Sequence, residues 1–129
     1  MKLATLLPIN AVFNGFFGIL LLLVPGPLVG LYGSTPNAEG TMLFRSLGAL
    51  FVGLAVMAWA ARNAEAAKAR DAMVLGLTVQ SALNAIVVAI GAANGLWNAL
   101  AWGQAAVYAL FAIGFFMAGR ASMLPAKAA

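Results

Sequence analysis

The feature that most constrains this chain is where its charges are absent: residues 3–24, 72–93 and 96–118 carry none, and residues 42–61 carry one, Arg45. A hydrocarbon core about 30 Å thick is crossed by roughly 20 predominantly apolar residues in a helix. Each of the four runs is therefore long enough to span. No water reaches the backbone inside a bilayer, so every amide has to find its partner within its own segment, and a helix does this where an isolated strand does not. The expected fold class is all-α, a polytopic membrane protein built as a four-transmembrane-helix bundle, with residues 1–129 forming a single membrane domain.

Composition agrees with lipid as the solvent. Hydrophobic residues make up 64% of the chain and charged residues 8%, and the mean hydropathy is +1.01. That leaves too little polar surface to coat a water-soluble fold. The chain is basic, with Lys+Arg 7 against Asp+Glu 3. Its cations stand singly between apolar runs and form no patch or stripe, which argues against a nucleic-acid partner.

Cysteine and histidine are both absent, which removes the usual ligands of zinc, copper and iron-sulfur clusters and of most haems. It also removes the Cys-His and Ser-His-Asp arrangements of nucleophilic catalysis. No GxxxxGK[ST] or GxGxxG segment offers a phosphate cradle. The expectation is no metal, no cofactor and no catalytic residue.

The first run is longer than the apolar core of a secretory signal and lacks a small-residue cleavage site, so it reads as a retained helix. Pro25 and Pro27 are expected to end it. Residues 28–41, with Gly30, Gly33, Pro36 and Gly40, read as the longest loop. Arg62, Lys68, Arg70 and Asp71 mark a short hydrophilic connector, Asn94-Gly95 the turn before the fourth run, and Gly119-Arg120 its end. The tail beyond is read as unstructured.

With four spans, Lys2, Arg62, Lys68, Arg70, Arg120 and Lys127 fall on one side and only Arg45 on the other. The positive-inside rule makes that side cytoplasmic, so both termini are expected there. Trp59, Trp97 and Trp102 sit near run ends, as interfacial anchors do.

Polar residues inside the spans are the candidate site. Asn10 and Asn14 lie in the first run, Gln80 and Asn84 in the third, and Gln104 and Tyr108 in the fourth, each pair spaced i, i+4 on one helix face. Counting at about 1.5 Å per residue from the cytoplasmic ends puts Asn14, Gln80, Asn84 and Tyr108 in one layer about 12–18 Å deep. One reading is a midplane pocket for a lipophilic molecule with one polar group, of quinone, sterol or isoprenoid type. The other, preferred on the sequence, is interhelical hydrogen bonding worth about 0.6 kcal/mol per contact.

Small residues recur along three runs: Ser46, Ala49, Gly53 and Ala60; Ser81, Ala85, Ala89 and Ala93; Ala101, Ala105 and Ala109. Such stripes permit close helix packing, and those of the second and fourth runs offer faces for a membrane-protein partner or a homo-oligomer. Arg45 reads as a snorkelling side chain. Its alternative is pairing with Glu39, or contact with an anion or partner at the outer rim near Tyr32, Asn94 and Asn98.

The segments Pro25-Gly26-Pro27-Leu28-Val29-Gly30-Leu31-Tyr32-Gly33 and Arg45-Ser46-Leu47-Gly48-Ala49-Leu50-Phe51-Val52-Gly53-Leu54 resemble the small DoxX-like bacterial four-helix membrane proteins of unknown function. The resemblance covers the first two runs and their loop. It implies a four-helix fold in a bacterial inner membrane and no activity or catalytic residue. Small multidrug exporters depend on a membrane-embedded Glu, whereas Glu39, Glu65 and Asp71 all lie in connectors here. The Phe/Thr/Ser-rich pore signature of fluoride channels is missing too.

Two functions from different classes follow. The first is a non-catalytic accessory or assembly subunit of a bacterial membrane complex. The second is a carrier, binding protein or enzyme for a lipophilic small molecule, with Tyr108 as a hydrogen-bond donor and Asn14, Asn84 and Gln104 orienting the ligand.

Overall fold

A computed structural model describes residues 2–65 and 67–123. Five helices follow in order: α1 (Leu3–Leu23), α2 (Pro25–Leu31), α3 (Ala38–Ala61), α4 (Lys68–Ala93) and α5 (Leu100–Met123). The architecture is an all-α four-helix bundle with one short extra helix. α1, α3, α4 and α5 are each long and apolar enough to cross a membrane. Ile9, Val12, Phe16, Leu50, Leu83 and Leu110 project from the outside of the bundle, a surface that suits lipid and would be costly in water.

The bundle is two tight pairs loosely joined. α1 packs along α3 and α4 along α5, while α1 and α5 touch sparsely and α3 and α4 more sparsely still. The first pair closes through glycine. A Cβ on Gly48 would lie 2.6 Å from the Leu22 amide nitrogen and 2.7 Å from the Gly18 carbonyl oxygen, so the two backbones meet where neither helix has a side chain. Phe51, Ala55, Ala58 and Ala61 continue this buried face of α3. The stripe of Ser46, Ala49, Gly53 and Ala60 is exposed instead and takes no part in packing within the chain. In the second pair, Ser81 of α4 and Ala101 and Ala105 of α5 are buried, so the α5 stripe is used internally.

Several boundaries differ from the sequence reading: α3 begins at Ala38 and not at residue 42, its first turn capped by the Asn37 side chain, and α5 continues through Gly119-Arg120 to Met123. The loop expected over residues 28–41 opens with about one helical turn, the second half of α2, because Pro25 stands at the start of α2, where its missing N–H is no loss and its fixed φ suits a helix. Val24, with φ −134° and ψ 57°, makes the break between α1 and α2. α4 begins a turn early, at Lys68, so Asn84 lies about 24 Å along it and not the shallower depth expected. Leu96, Trp97, Asn98 and Ala99 precede α5 and do not form its first turn.

The topology brings Lys2, Arg62, Lys68, Arg70 and Arg120 to one end of the bundle and α2 with the α4–α5 connector to the other. Lys127 and the rest of the tail from residue 124 lie outside the described residues. Trp59 and Trp102 project outward from the bundle; Trp97 does not.

Candidate functional site

At the α2 side, α2 and α4 end in the same way. α2 closes with the Ser34 amide donating to the Val29 carbonyl and Gly33 to Gly30; α4 closes with Leu96 donating to Gly91 and Gly95 to Ala92. These paired bonds need a left-handed residue after the helix, supplied by Gly33 at φ 81° and Gly95 at φ 71°. The two chain reversals are then joined by Asn98. Its backbone amide donates to the Tyr32 carbonyl at 2.8 Å and its Nδ2 to the Leu31 carbonyl at 2.8 Å. Its Oδ1 accepts from the Leu100 amide at 3.0 Å, an Asx turn that starts α5.

This clamp sets Trp97 in place. The ring lies so close over Gly91 that a Cβ there would fall 2.5 Å from it, and Gly91 is one of the buried positions of α4. Trp97 is thus folded inward against the end of α4.

Beneath it, between the two helix pairs, is a cavity of about 120 Å³. Phe17 and Leu21 of α1, Leu28 and Val29 of α2, and Leu47 and Phe51 of α3 form its apolar wall. Tyr32 and Trp97 lie toward the α2 end, and the amides of Asn84 and Gln104 enter from α4 and α5. Burial pushes the Tyr32 hydroxyl above its ordinary pKa of 10.0, so it stays protonated and able to donate. No charged side chain is among the residues lining the cavity.

A second space adjoins it. The loose seam between α3 and α4 leaves a groove of about 720 Å³, open along the side of the bundle. Leu47, Phe51, Asn84 and Val87 line both spaces, so Asn84 stands at their junction. Gln80 lies in the groove, where its Nε2 is buried without a hydrogen-bond partner.

The expected midplane layer therefore divides. Asn84 and Gln104 line the cavity and Gln80 lies next door. Tyr108 is fully buried in the core, with its ring edge-on to Phe13 at 5.5 Å; Gln104 and Asn84 are its polar neighbours, yet its hydroxyl completes no hydrogen bond. Asn10 and Asn14 are not at the cavity. Both are fully buried, and Asn14 Nδ2 donates to Asn10 Oδ1 at 2.9 Å. They share one bond within α1, which leaves Asn10 Nδ2 and Asn14 Oδ1 buried without a hydrogen-bond partner among the described residues, and neither lines the cavity.

Glu39 and Arg45 do not pair with each other. Both are exposed, and among the described residues neither has an ion-pair partner. Six residues apart on one helix, they point to different faces. Glu39 sits in the first turn of α3, where the helix dipole favours an acid, beside the Asn37 side chain that caps it. Arg45, a turn deeper than expected, projects from the bundle as a snorkelling side chain does.

Sequence reasoning missed Tyr32 and Trp97 as lining residues. The signals present were Gly33, Gly91 and Gly95, which permit the reversals and the inward ring.

In comparisons with known proteins, the chain matches no family model, and no curated protein or solved structure matches it.

Proposed function

We propose that this chain is a multi-pass protein of the bacterial inner membrane, both termini cytoplasmic, that binds or carries a lipophilic small molecule by its single polar group. The observation that carries the reading is the cavity at Asn84 and Gln104, apolar elsewhere apart from Tyr32 and sharing a wall with a groove on the outside of the bundle. A pocket with few convergent polar groups in an apolar wall is the usual form of a small-molecule site.

Size narrows the class. A cavity of roughly 150 Å³ holds a benzene, so about 120 Å³ takes one ring or a branched polar terminus and not a fused sterol nucleus. A quinone-type ring or an isoprenoid terminus fits this size. The two amides suit neutral oxygen acceptors, and Tyr32 adds a protonated hydroxyl.

The test is fluorescence titration in nanodiscs of a Trp59→Phe, Trp102→Phe background, leaving Trp97 as the reporter, with a decyl-substituted benzoquinone. Saturable quenching that weakens about tenfold on Asn84→Leu or Gln104→Leu is expected. Linear quenching that is identical in all variants refutes the reading.

A second reading has its own support. The exposed stripe of Ser46, Ala49, Gly53 and Ala60 on α3 is suited to a helix of another membrane subunit, which would make the chain a non-catalytic accessory or assembly subunit. Gly53→Leu is expected to detach such a partner on native gels while leaving Trp97 quenching intact.

A further inference from the structure

Resting on the binding reading above, we infer that the α3–α4 groove holds the ligand's apolar tail and is its way in from the lipid, so that the molecule bound is a tailed amphiphile with an uncharged, hydrogen-bond-accepting head. The cavity is too small for a whole lipophilic molecule, since drug-sized ligands occupy roughly 300–1,000 Å³. Most of such a molecule has to lie elsewhere, and the groove that shares Asn84 with the cavity is where it can go.

The α2 end is braced by hydrogen bonds. There the Asn98 clamp ties the α4–α5 connector to the end of α2 and holds Trp97 inward. Of the two contacts described between the helix pairs, α3 against α4 is looser than α1 against α5. Along α4 the groove runs from Ala72 to Val87, about 22 Å at the helical rise, which is the length of a long alkyl or prenyl chain.

The groove's chemistry fits a tail with one further acceptor. Its walls are apolar apart from Asn84 and Gln80. Gln80 Nε2 is a buried donor lacking a partner, one turn or about 6 Å from Asn84 along α4. No cation lines either space, so a carboxylate or phosphate head would be desolvated without compensation. A neutral carbonyl or ether oxygen is accepted.

The experiment uses the full chain in phosphatidylcholine nanodiscs with a dodecyl-substituted acetophenone carrying a diazirine in its tail. After photolysis, adducts are mapped by mass spectrometry, and Trp97 emission reports the head. Labelling concentrated on Leu50, Leu54, Leu75, Val79 and Leu83 is expected, falling at least fivefold with excess tailless acetophenone or with Gln104→Leu. Gly76→Phe fills the groove at a position where a Cβ meets nothing within 4 Å, so it should remove groove labelling without unfolding the bundle. Even labelling around the bundle, or groove labelling indifferent to the competitor as ordinary annular lipid would give, overturns the inference. If Trp97 still responds saturably in that case, the head site stands alone; if Trp97 never responds, the binding reading falls as well.

Discussion

Gly48→Ala and Gly53→Ala put the same methyl group on the same helix, and the fold assigns them opposite consequences. At Gly48 the new Cβ would stand 2.6 Å from backbone nitrogen and 2.7 Å from backbone oxygen of α1, about 0.8 Å inside ordinary contact distance. Neither neighbour is a flexible side chain, so α1 and α3 have to separate. A gap of that size forfeits a quarter to a half of each dispersion contact near the crossing, and overpacking of this kind costs about 1–3 kcal/mol. Replacing a mid-helix Gly gains about 1 kcal/mol, leaving Gly48→Ala destabilised by about 1 kcal/mol, within a range of roughly 0–2 kcal/mol. At Gly53 a Cβ meets nothing within 4 Å, so Gly53→Ala is expected between about 0 and 1 kcal/mol more stable. Reversible unfolding in mixed detergent micelles, with increasing dodecyl sulfate and circular dichroism as the signal, reads both. Equal effects of the two substitutions would refute the Gly18–Gly48 crossing and the assignment of the Ser46, Ala49, Gly53 stripe to the free surface.

Three further expectations follow from the same geometry. Because the Asn14 amide donates to Asn10 Oδ1 in the buried core, Asn14→Leu leaves that oxygen unpaired beside an Nδ2 that already lacks a partner, at a cost of about 1–3 kcal/mol, whereas Asn10→Leu with Asn14→Leu together should cost less than either alone; additivity in a double-mutant cycle would contradict the pairing. Asn98→Ala removes one cross-connection and one Asx turn, about 1–2 kcal/mol of local stability, read as faster amide hydrogen exchange over residues 94–100 and a red-shifted Trp97 emission, with the helices themselves unchanged. The Tyr32 hydroxyl is raised above 10.0 by burial, so its neutral form is the one the fold favours; stability of the α2 end should be flat through neutral pH and decline only as pH climbs past 10, and a loss between pH 6 and 9 traced to Tyr32 by Tyr32→Phe would be inconsistent with this.

The four long helices were legible because each is a charge-free or nearly charge-free run longer than a bilayer requires, and that signal survives any uncertainty in packing. α2 was not, because seven residues bounded by prolines are too few to carry a helical period. The start of α5 was misread since Leu96, Trp97 and Ala99 are as apolar as the helix that follows, and only the bonds made by Asn98 mark the boundary. In the site, Asn84, Gln104 and Gln80 were readable as polar groups that lipid would not tolerate. Their i, i+4 spacing could not distinguish a pair turned into a shared space from a pair, Asn10 and Asn14, that closes on itself. Gly48 escaped notice as the packing residue of α3, because Ala49 and Gly53 offer an equally small stripe and which stripe meets α1 depends on helix rotation, a property of the packed pairs. The cavity arises from the looseness between pairs, which no single segment encodes.

The most direct test of the central claim is native mass spectrometry of the chain released from its own membrane under gentle detergent conditions, beside the Asn84→Leu and Gln104→Leu variants. The account predicts a single neutral lipophilic adduct on the 13.2 kDa chain, retained by Asn14→Leu and lost from both cavity variants. An adduct equally abundant in all four proteins, or a wild-type chain that carries none, would contradict it.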